Sequence, residues 1–356
     1  MRLKMRPSLF SYSLIDLRDY FVSQGLAKFA ADQVYNWIYR KYNFDFESWP
    51  NVSAKVKAHI KNEMDITLPK IVWKGLSEDG TRKFLVQMSD KQTVESVVIP
   101  AKNNRLTLCL STQVGCAIGC TFCHTGTMGL KRHLGAGEIV GQFMAIGSWL
   151  LQEEGPETRL TNIVYMGQGE PLHNFDNVKN ATIIFMEDHG LCLGQRKITL
   201  STSGLVPQIE RLSDFPPINV AISLHASRDD MRTELMPINK VYDLKRLFSA
   251  IQKIPLKAHR HITYEYLLIK DLNDGQEDIE GLSRLLPRKV SKVNIIPFNE
   301  YPGSKFKRPS DERIIWFQKS LLAKGLITTI RATKGQDILA ACGQLKSELE
   351  TPNLWN

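Results

Sequence analysis

From Arg105 onward the chain alternates short strand-forming runs with helix-length segments. RLTLCLST, LTNIVYMG, RKITLSTSG, INVAISLHA, ITYEYLLI and KVNIIPFN are brief and rich in β-branched residues, as strands are. GEIVGQFMAIGSWLLQE, LVPQIERLSD and GQEDIEGLSRLLP between them have the length and apolar spacing of helices. A strand, a crossover and a second strand pack as a right-handed parallel unit. Six such repeats therefore confine this region to a curved parallel sheet with helices outside it, an α/β fold. With 356 residues and 43% hydrophobic content there is room for one large domain and a smaller one.

The residues before the repeats read differently. Up to about residue 65 the pattern is helical: Leu14, Leu17 and Phe21 share one face, Val34, Trp37 and Ile38 another, and Ser53 opens a third helix. KIVWKGL and RKFLVQM then flank the turn SEDG, with TVESVVIP after them, a hairpin with a third strand beside it. The expected divisions are a helical domain over 1–65, a hairpin or linker carrying Glu95 over 66–101, a core over 102–345 and a short tail over 346–356.

In βα barrels the chemistry sits at the C-terminal ends of the strands. QVGCAIGCTFCHTG follows the first repeat strand and sets Cys116, Cys120 and Cys123 in a C-x3-C-x2-C triplet. GQGEP (167–171) follows the second strand, STSG (201–204) ends the third, Ser223-Leu224-His225 ends the fourth and Asn299 the sixth. Each alone has a plain explanation as a turn, a cap or a buried polar residue; their recurrence on one rim marks a site. Three thiolates on a [4Fe-4S] cluster leave one iron open. An open iron can chelate the amino and carboxylate groups of S-adenosylmethionine (SAM), and this spacing resembles the signature of the radical SAM enzymes. Structural zinc, with His124 completing a Cys3His set, is the competing reading. Zinc ligands usually come from two separated knuckles, whereas all four candidates here crowd into one loop.

No apolar run approaches the ~20 residues of a membrane span, and Asp16 and Asp19 interrupt any leader-like stretch. A cytoplasmic location is expected, where six cysteines stay reduced. The net charge of +9 suits a polyanionic partner. Much of the excess lies between Arg288 and Lys334, with Phe298, Tyr301, Phe306 and Trp316 interleaved, a pattern shared by surfaces that stack single-stranded bases and by ordinary packing.

CLSTQVGCAIGCTFC, MGQGEPLHNFDNV, ITLSTSGLVPQIERL, AISLHA, MPINK and ACGQL resemble the radical SAM adenine methyltransferases of RlmN type, with the Cfr methyltransferases as a sister branch. The likeness covers nearly the whole chain, and a cysteine seven residues before the triplet combined with ACGQL is a narrow match. It implies a partial (β/α)6 barrel behind an N-terminal helical domain. It also implies methylation of adenosine carbon 2 in 23S rRNA (the peptidyl-transferase loop), in tRNA (3′ of the anticodon), or in both. Two SAM would be used per turnover, with a [4Fe-4S] cluster on Cys116, Cys120 and Cys123, and the protein would be a monomer fed by a reductant such as flavodoxin or ferredoxin. By the same resemblance Cys342 carries the methyl as S-methylcysteine, Glu95 accepts the adenine proton, and Cys109 resolves the RNA adduct by a transient disulfide with Cys342. Gly169, Glu170, Ser201, Ser223, Leu224, His225 and Asn299 would contact SAM. Cys192 matches nothing catalytic and reads as a buried apolar thiol. Gln168 and His124 depart from the family pattern, which usually has Met at the first position and Ala or Ser at the second.

Two other readings stay open: a carbon-8 methyltransferase of the Cfr branch, and a zinc-stabilised RNA-binding protein without catalysis, in which Cys109 and Cys342 would be idle.

Overall fold

The computed structural model describes residues 6–257 and 259–345; the expected tail, 346–356, lies outside the described residues. Ser13 caps α1 (Leu14–Ser23), its hydroxyl accepting from the Asp16 N–H at 3.1 Å. Then come α2 (Lys28–Tyr35), which runs on into a π-turn, and α3 (Ala54–Glu63), capped by Ser53. Leu14, Leu17, Phe21, Val34 and Ile38 are buried together as their spacing requires.

Three antiparallel strands follow: β1 (Lys70–Leu76), β2 (Arg82–Gln87) and β3 (Thr93–Ala101). β4 (Arg105–Cys109) pairs antiparallel with β3 and opens the repeats. A small ribbon, β5 (Gln113–Gly115) with β6 (Leu130–His133), brackets the cysteine loop. The repeats continue through α4 (Ala136–Glu153), β7 (Leu160–Tyr165), α5 (Phe175–Met186), β8 (Ile198–Thr202), α6 (Val206–Glu210) and β9 (Asn219–Ser223). After these come α7 (Asp229–Leu235), α8 (Leu244–Ile251), β10 (Ile262–Leu268), α9 (Gln276–Leu285), β11 (Ser291–Pro297), α10 (Asp311–Ala323) and β12 (Ile327–Ile330).

All but the ribbon form one sheet in the order β1-β2-β3-β4-β7-β8-β9-β10-β11-β12, parallel from β4 on. The six expected repeat strands occur in the expected order. Two features add to the expectation. β12 is a seventh parallel strand, too short at four residues to stand out from the polar segment around it. The hairpin strands extend the barrel sheet through the β3–β4 pairing, so Glu95 sits in the same sheet as the cysteine-bearing end of β4. Among the described residues no helix is long and apolar enough to cross a membrane.

Gln142, fully buried on α4, fixes the point where β4 leaves the sheet. Its side-chain oxygen accepts from Ser96 Oγ at 2.9 Å and from the Ser111 N–H at 3.2 Å, while Nε2 donates to the Ser111 carbonyl at 3.1 Å. An apolar side chain would leave both Ser111 backbone groups unpaired in the core. Gln142→Leu should therefore cost about 2–4 kcal/mol of stability, measured as a shift in the urea midpoint.

Candidate active site

The cysteine loop is held at both ends. Gly115 has φ +76°, and a Cβ there would lie 1.8 Å from the Gly129 carbonyl oxygen, so only glycine lets the ribbon close just before Cys116. Cys116 N–H donates to that same carbonyl at 3.0 Å, and Thr121 N–H donates to the Leu235 carbonyl at 3.0 Å. Cys116, Cys120 and Cys123 line an open pocket at this end of the barrel. Burial pushes all three thiols up, Cys116 to about 12, so they give up their protons only to a strongly cationic partner. Among the described residues no three metal-binding side chains converge on one point as a single ion demands. A cluster takes one thiolate at each of three irons, and three thiols of one short loop lining the same pocket are that donor set.

Opposite stand the other strand ends. Gly169 has φ +99°, and a Cβ there would press to 2.6 Å from the Gln113 side chain. Gln113 in turn accepts from the Glu170 N–H at 2.8 Å. The buried Glu170 carboxylate accepts from Leu172 N–H at 2.9 Å and Ser203 N–H at 2.7 Å, which fixes its plane. Burial raises its pKa while those donors oppose the rise, leaving a group suited to meeting an ammonium. Ser201 donates to the Glu265 carboxylate at 2.9 Å, and Ser223 Oγ lies 3.4 Å from Ser201 Oγ.

His225 (φ +59°) accepts at Nδ1 from the Leu267 N–H at 3.0 Å, which leaves its proton on Nε2. Its ring meets Phe122 edge to face at 4.9 Å. Burial, then the nearby Arg232 charge, depress its pKa to about 3. Arg232 is itself wholly buried and donates to the Leu224, Ser203 and Ser223 carbonyls, gathering the ends of β8 and β9.

Cys342 closes the pocket from above. The segment around it is fastened to the loop by His124 N–H to the Gly343 carbonyl at 2.8 Å and by Thr125 Oγ1 to the Leu345 carbonyl at 2.6 Å. Asn299 Nδ2 donates to the Cys342 carbonyl at 3.3 Å. Cys342 also lines a second, adjoining pocket of about 730 Å³, and there it is joined by Cys109. Both thiols are free. Burial raises the Cys342 pKa, and Arg331 draws it back; Cys109 is pushed up to about 12, mainly by burial. Arg331 is placed by Glu265, 3.7 Å away.

The structure thus gathers Cys116, Cys120, Cys123, Gly169, Glu170, Ser201, Ser223, His225 and Cys342 around one pocket, with Cys109 and Asn299 in its neighbour. Leu224 does not line it: its side chain is in the apolar core and its N–H donates to the Glu265 carbonyl. Glu95 lines neither pocket; it is buried and paired with Lys83 at 2.9 Å. Of the two departures, His124 stacks on Tyr301 with ring centroids 4.9 Å apart, and Gln168 accepts from the Glu95 N–H at 3.3 Å and is not among the residues lining the cysteine pocket.

Cys192 is exposed, contrary to expectation, because a left-handed turn (φ +54°) after α5 carries it outward. In the basic stretch Phe298 and Phe306 are core residues, and Lys305, Lys307, Arg308 and Arg313 have acidic partners in Glu234, Glu300, Asp311 and Asp274. Sequence reasoning passed over Glu265 and Lys83, and took Arg331 only as part of the basic stretch, whereas it pairs with Glu265. A carboxylate inside the apolar run ITYEYLLI was the available signal for Glu265, since such a group is buried only when something answers it.

Residues 110–286 match the radical SAM superfamily model, and residues 8–66 match the ribosomal RNA large subunit methyltransferase N-terminal domain. The dual-specificity RNA methyltransferase RlmN of Syntrophotalea carbinolica is 46% identical over 97% of this chain and 91% of its own length. The chain belongs to the RlmN family. A second relative, the RlmN protein of Nitratiruptor sp., is 43% identical over 94% of this chain and 98% of its own length. A radical SAM methyltransferase from Sphaerobacter thermophilus, solved by crystallography, superposes with a TM-score of 0.89 at 39% identity, covering 96% of this chain and all of that one. Membership of the RlmN family leaves no place for the non-catalytic zinc-protein reading.

The buried neutral His225 generates a pH prediction. An unfolded histidine titrates near about 6.5, the folded one only near 3. As pH falls below the unfolded value, the unfolded state takes up a proton that the folded state refuses, so stability drops. Melting temperature should therefore fall less steeply from pH 7 to 4.5 in His225→Gln than in the unsubstituted protein.

Proposed function

We propose that this protein methylates carbon 2 of adenosine in 23S ribosomal RNA and in transfer RNA, passing the methyl group through Cys342. The observation that carries this reading is the place of Cys342 on the wall shared by two pockets, one bearing the cysteine triplet and the other Cys109. Carbon 2 of adenine is electrophilic, so it does not accept a methyl cation as a ring nitrogen does. A carbon radical on a sulfur-bound carrier overcomes that mismatch, and the carrier must reach both the SAM side and the RNA side.

In this reading Cys116, Cys120 and Cys123 hold a [4Fe-4S] cluster, and Gly169, Glu170, Ser201, Ser223, His225 and Asn299 bind SAM; Leu224, with its N–H and carbonyl engaged by Glu265 and Arg232, only supports Ser223 and His225. When bound, the cluster supplies the electron that splits SAM into methionine and a 5′-deoxyadenosyl radical. Cys342 takes its methyl from one SAM and yields one of the methyl hydrogens to the radical from a second. Once the carbon–carbon bond exists, the adduct gives its unpaired electron to the one-electron acceptor left by SAM cleavage and its ring proton to Glu95. The Cys109 thiolate then attacks the Cys342 sulfur; the sulfur–methylene bond breaks with its electron pair on the methylene, which takes a proton from solvent to become the methyl group, and a disulfide remains that an external thiol reduces. An electron donor such as flavodoxin or ferredoxin serves the cluster, and the protein acts as a cytoplasmic monomer. Residues 1–65, 66–101, 102–345 and 346–356 are proposed as its divisions.

Two experiments test the route. SAM with a fully deuterated methyl group should give product RNA keeping two of its three deuteriums; retention of all three would mean direct transfer and end this reading. Cys342→Ala should form no crosslink to RNA, whereas Cys109→Ala should still methylate Cys342 and then accumulate RNA joined through its methylene, visible on denaturing gels with labelled RNA. A Cys109→Ala protein that turns over freely, or stalls with no covalent RNA, would remove Cys109 from the mechanism.

A further inference from the structure

Lys83 on β2 and Glu95 on β3 form an ion pair inside the protein. Nζ lies 2.9 Å from the Glu95 carboxylate, both residues are at least nine-tenths buried, and the lysine also donates to the Leu339 carbonyl at 3.2 Å. Burying two charges usually costs more than their attraction returns, and an apolar pair of like size is often no less stable. Such a pair therefore calls for a reason beyond stability. Its surroundings supply one. Leu339 lies three residues before Cys342, in a left-handed conformation (φ +50°). The same stretch is clamped by the β1–β2 turn: Ser77 Oγ donates to Asp337 at 2.5 Å, Glu78 N–H to Asp337 at 3.1 Å, and Gly335 N–H to Asp79 at 3.0 Å. One ammonium thus touches both the carboxylate assigned to the proton and the backbone of the segment that carries the methyl.

We propose that Lys83 is a positioning residue of the adenine proton transfer: its ammonium holds Glu95 ionised and ties it to the Cys342 segment. This rests on the reading of Glu95 as the proton acceptor. In that step, from the adduct that has already given up its unpaired electron, the C–H bond at the adenine carbon breaks, its electron pair stays in the ring and the proton goes to a Glu95 oxygen. Lys83 takes no part in the exchange itself. A nearby cation favours the charged form of a carboxylate, so removing Lys83 weakens the hold on the ionised Glu95 and with it the capacity of Glu95 as a base. The loss would appear as a changed pH dependence rather than as unfolding.

The test uses Lys83→Met, Lys83→Arg and Glu95→Gln in the full chain. In the iron-free protein, infrared titration should show the protonated carboxyl band that Glu95→Gln lacks, and Lys83→Met should move its appearance to higher pH. In the reconstituted enzyme Lys83→Met should form 5′-deoxyadenosine and crosslinked RNA normally but resolve the crosslink about tenfold more slowly at neutral pH for each unit of that rise. Raising the pH should restore it, and Lys83→Arg should keep most of the rate. If Lys83→Met resolves the crosslink at the unsubstituted rate while Glu95→Gln stalls, the inference on Lys83 is wrong and Glu95 keeps its role. If Glu95→Gln itself turns over freely, the base assignment fails and this inference with it. Equal loss of SAM cleavage and resolution at every pH would reduce Lys83 to a structural residue and overturn the proposal.

Discussion

The site depends on the docking of one segment, residues 334–345, across the open end of the barrel. Without it the cysteine triplet faces solvent and Cys109 lies at the end of a strand with no partner thiol. The segment contributes little apolar surface, chiefly Ile338, Ala340 and Leu345. Polar contacts do most of the fastening: the cysteine loop grips Gly343 and Leu345, Asn299 grips Cys342, Glu300 accepts from Gln344, and the β1–β2 turn grips Gly335 and Asp337. Each such bond contributes about 1 kcal/mol, so the segment stays in place through their number and not through any single one.

Ionic groups inside the barrel follow one rule, that each meets its counterpart across neighbouring strands or segments. Glu265 on β10 is met by Ser201 on β8 and by Arg331 just after β12; Arg232 is met by carbonyls at the ends of β8 and β9; Glu95 is met by Lys83 on the adjacent strand. Buried in the sheet, such groups lie where desolvation makes orientation count for more than net attraction. The result is a pocket whose polar atoms are aimed before any ligand enters.

The repeat strands were legible because their β-branched runs have few alternatives, and the rim followed because barrels place chemistry at strand ends. The Cys116–Cys123 loop was legible from spacing alone. Glu95 needed the family resemblance, since one glutamate in TVESVVIP reads as an exposed strand residue until the sheet extension buries it. The roles of Lys83, Glu265 and Arg331 stayed hidden for a related reason. Each gains meaning only from a partner on another strand or segment, and pairing across a sheet is not written in local sequence. Cys192 misled because thiols are usually buried, and nothing local announced the turn that exposes it.

The clamp between the β1–β2 turn and the Cys342 segment joins residues about 260 positions apart in the chain. Contacts of that separation form only once the sheet has brought the hairpin and the end of β12 to the same rim. The barrel and its cysteine loop can therefore be complete while the segment is still loose, so that the cavity closes last. The same asymmetry holds in the finished molecule: lifting the cap requires breaking hydrogen bonds at its margins, whereas opening the barrel would expose the core. The lowest-energy doorway to this interior is thus the stretch of chain that bears Cys342.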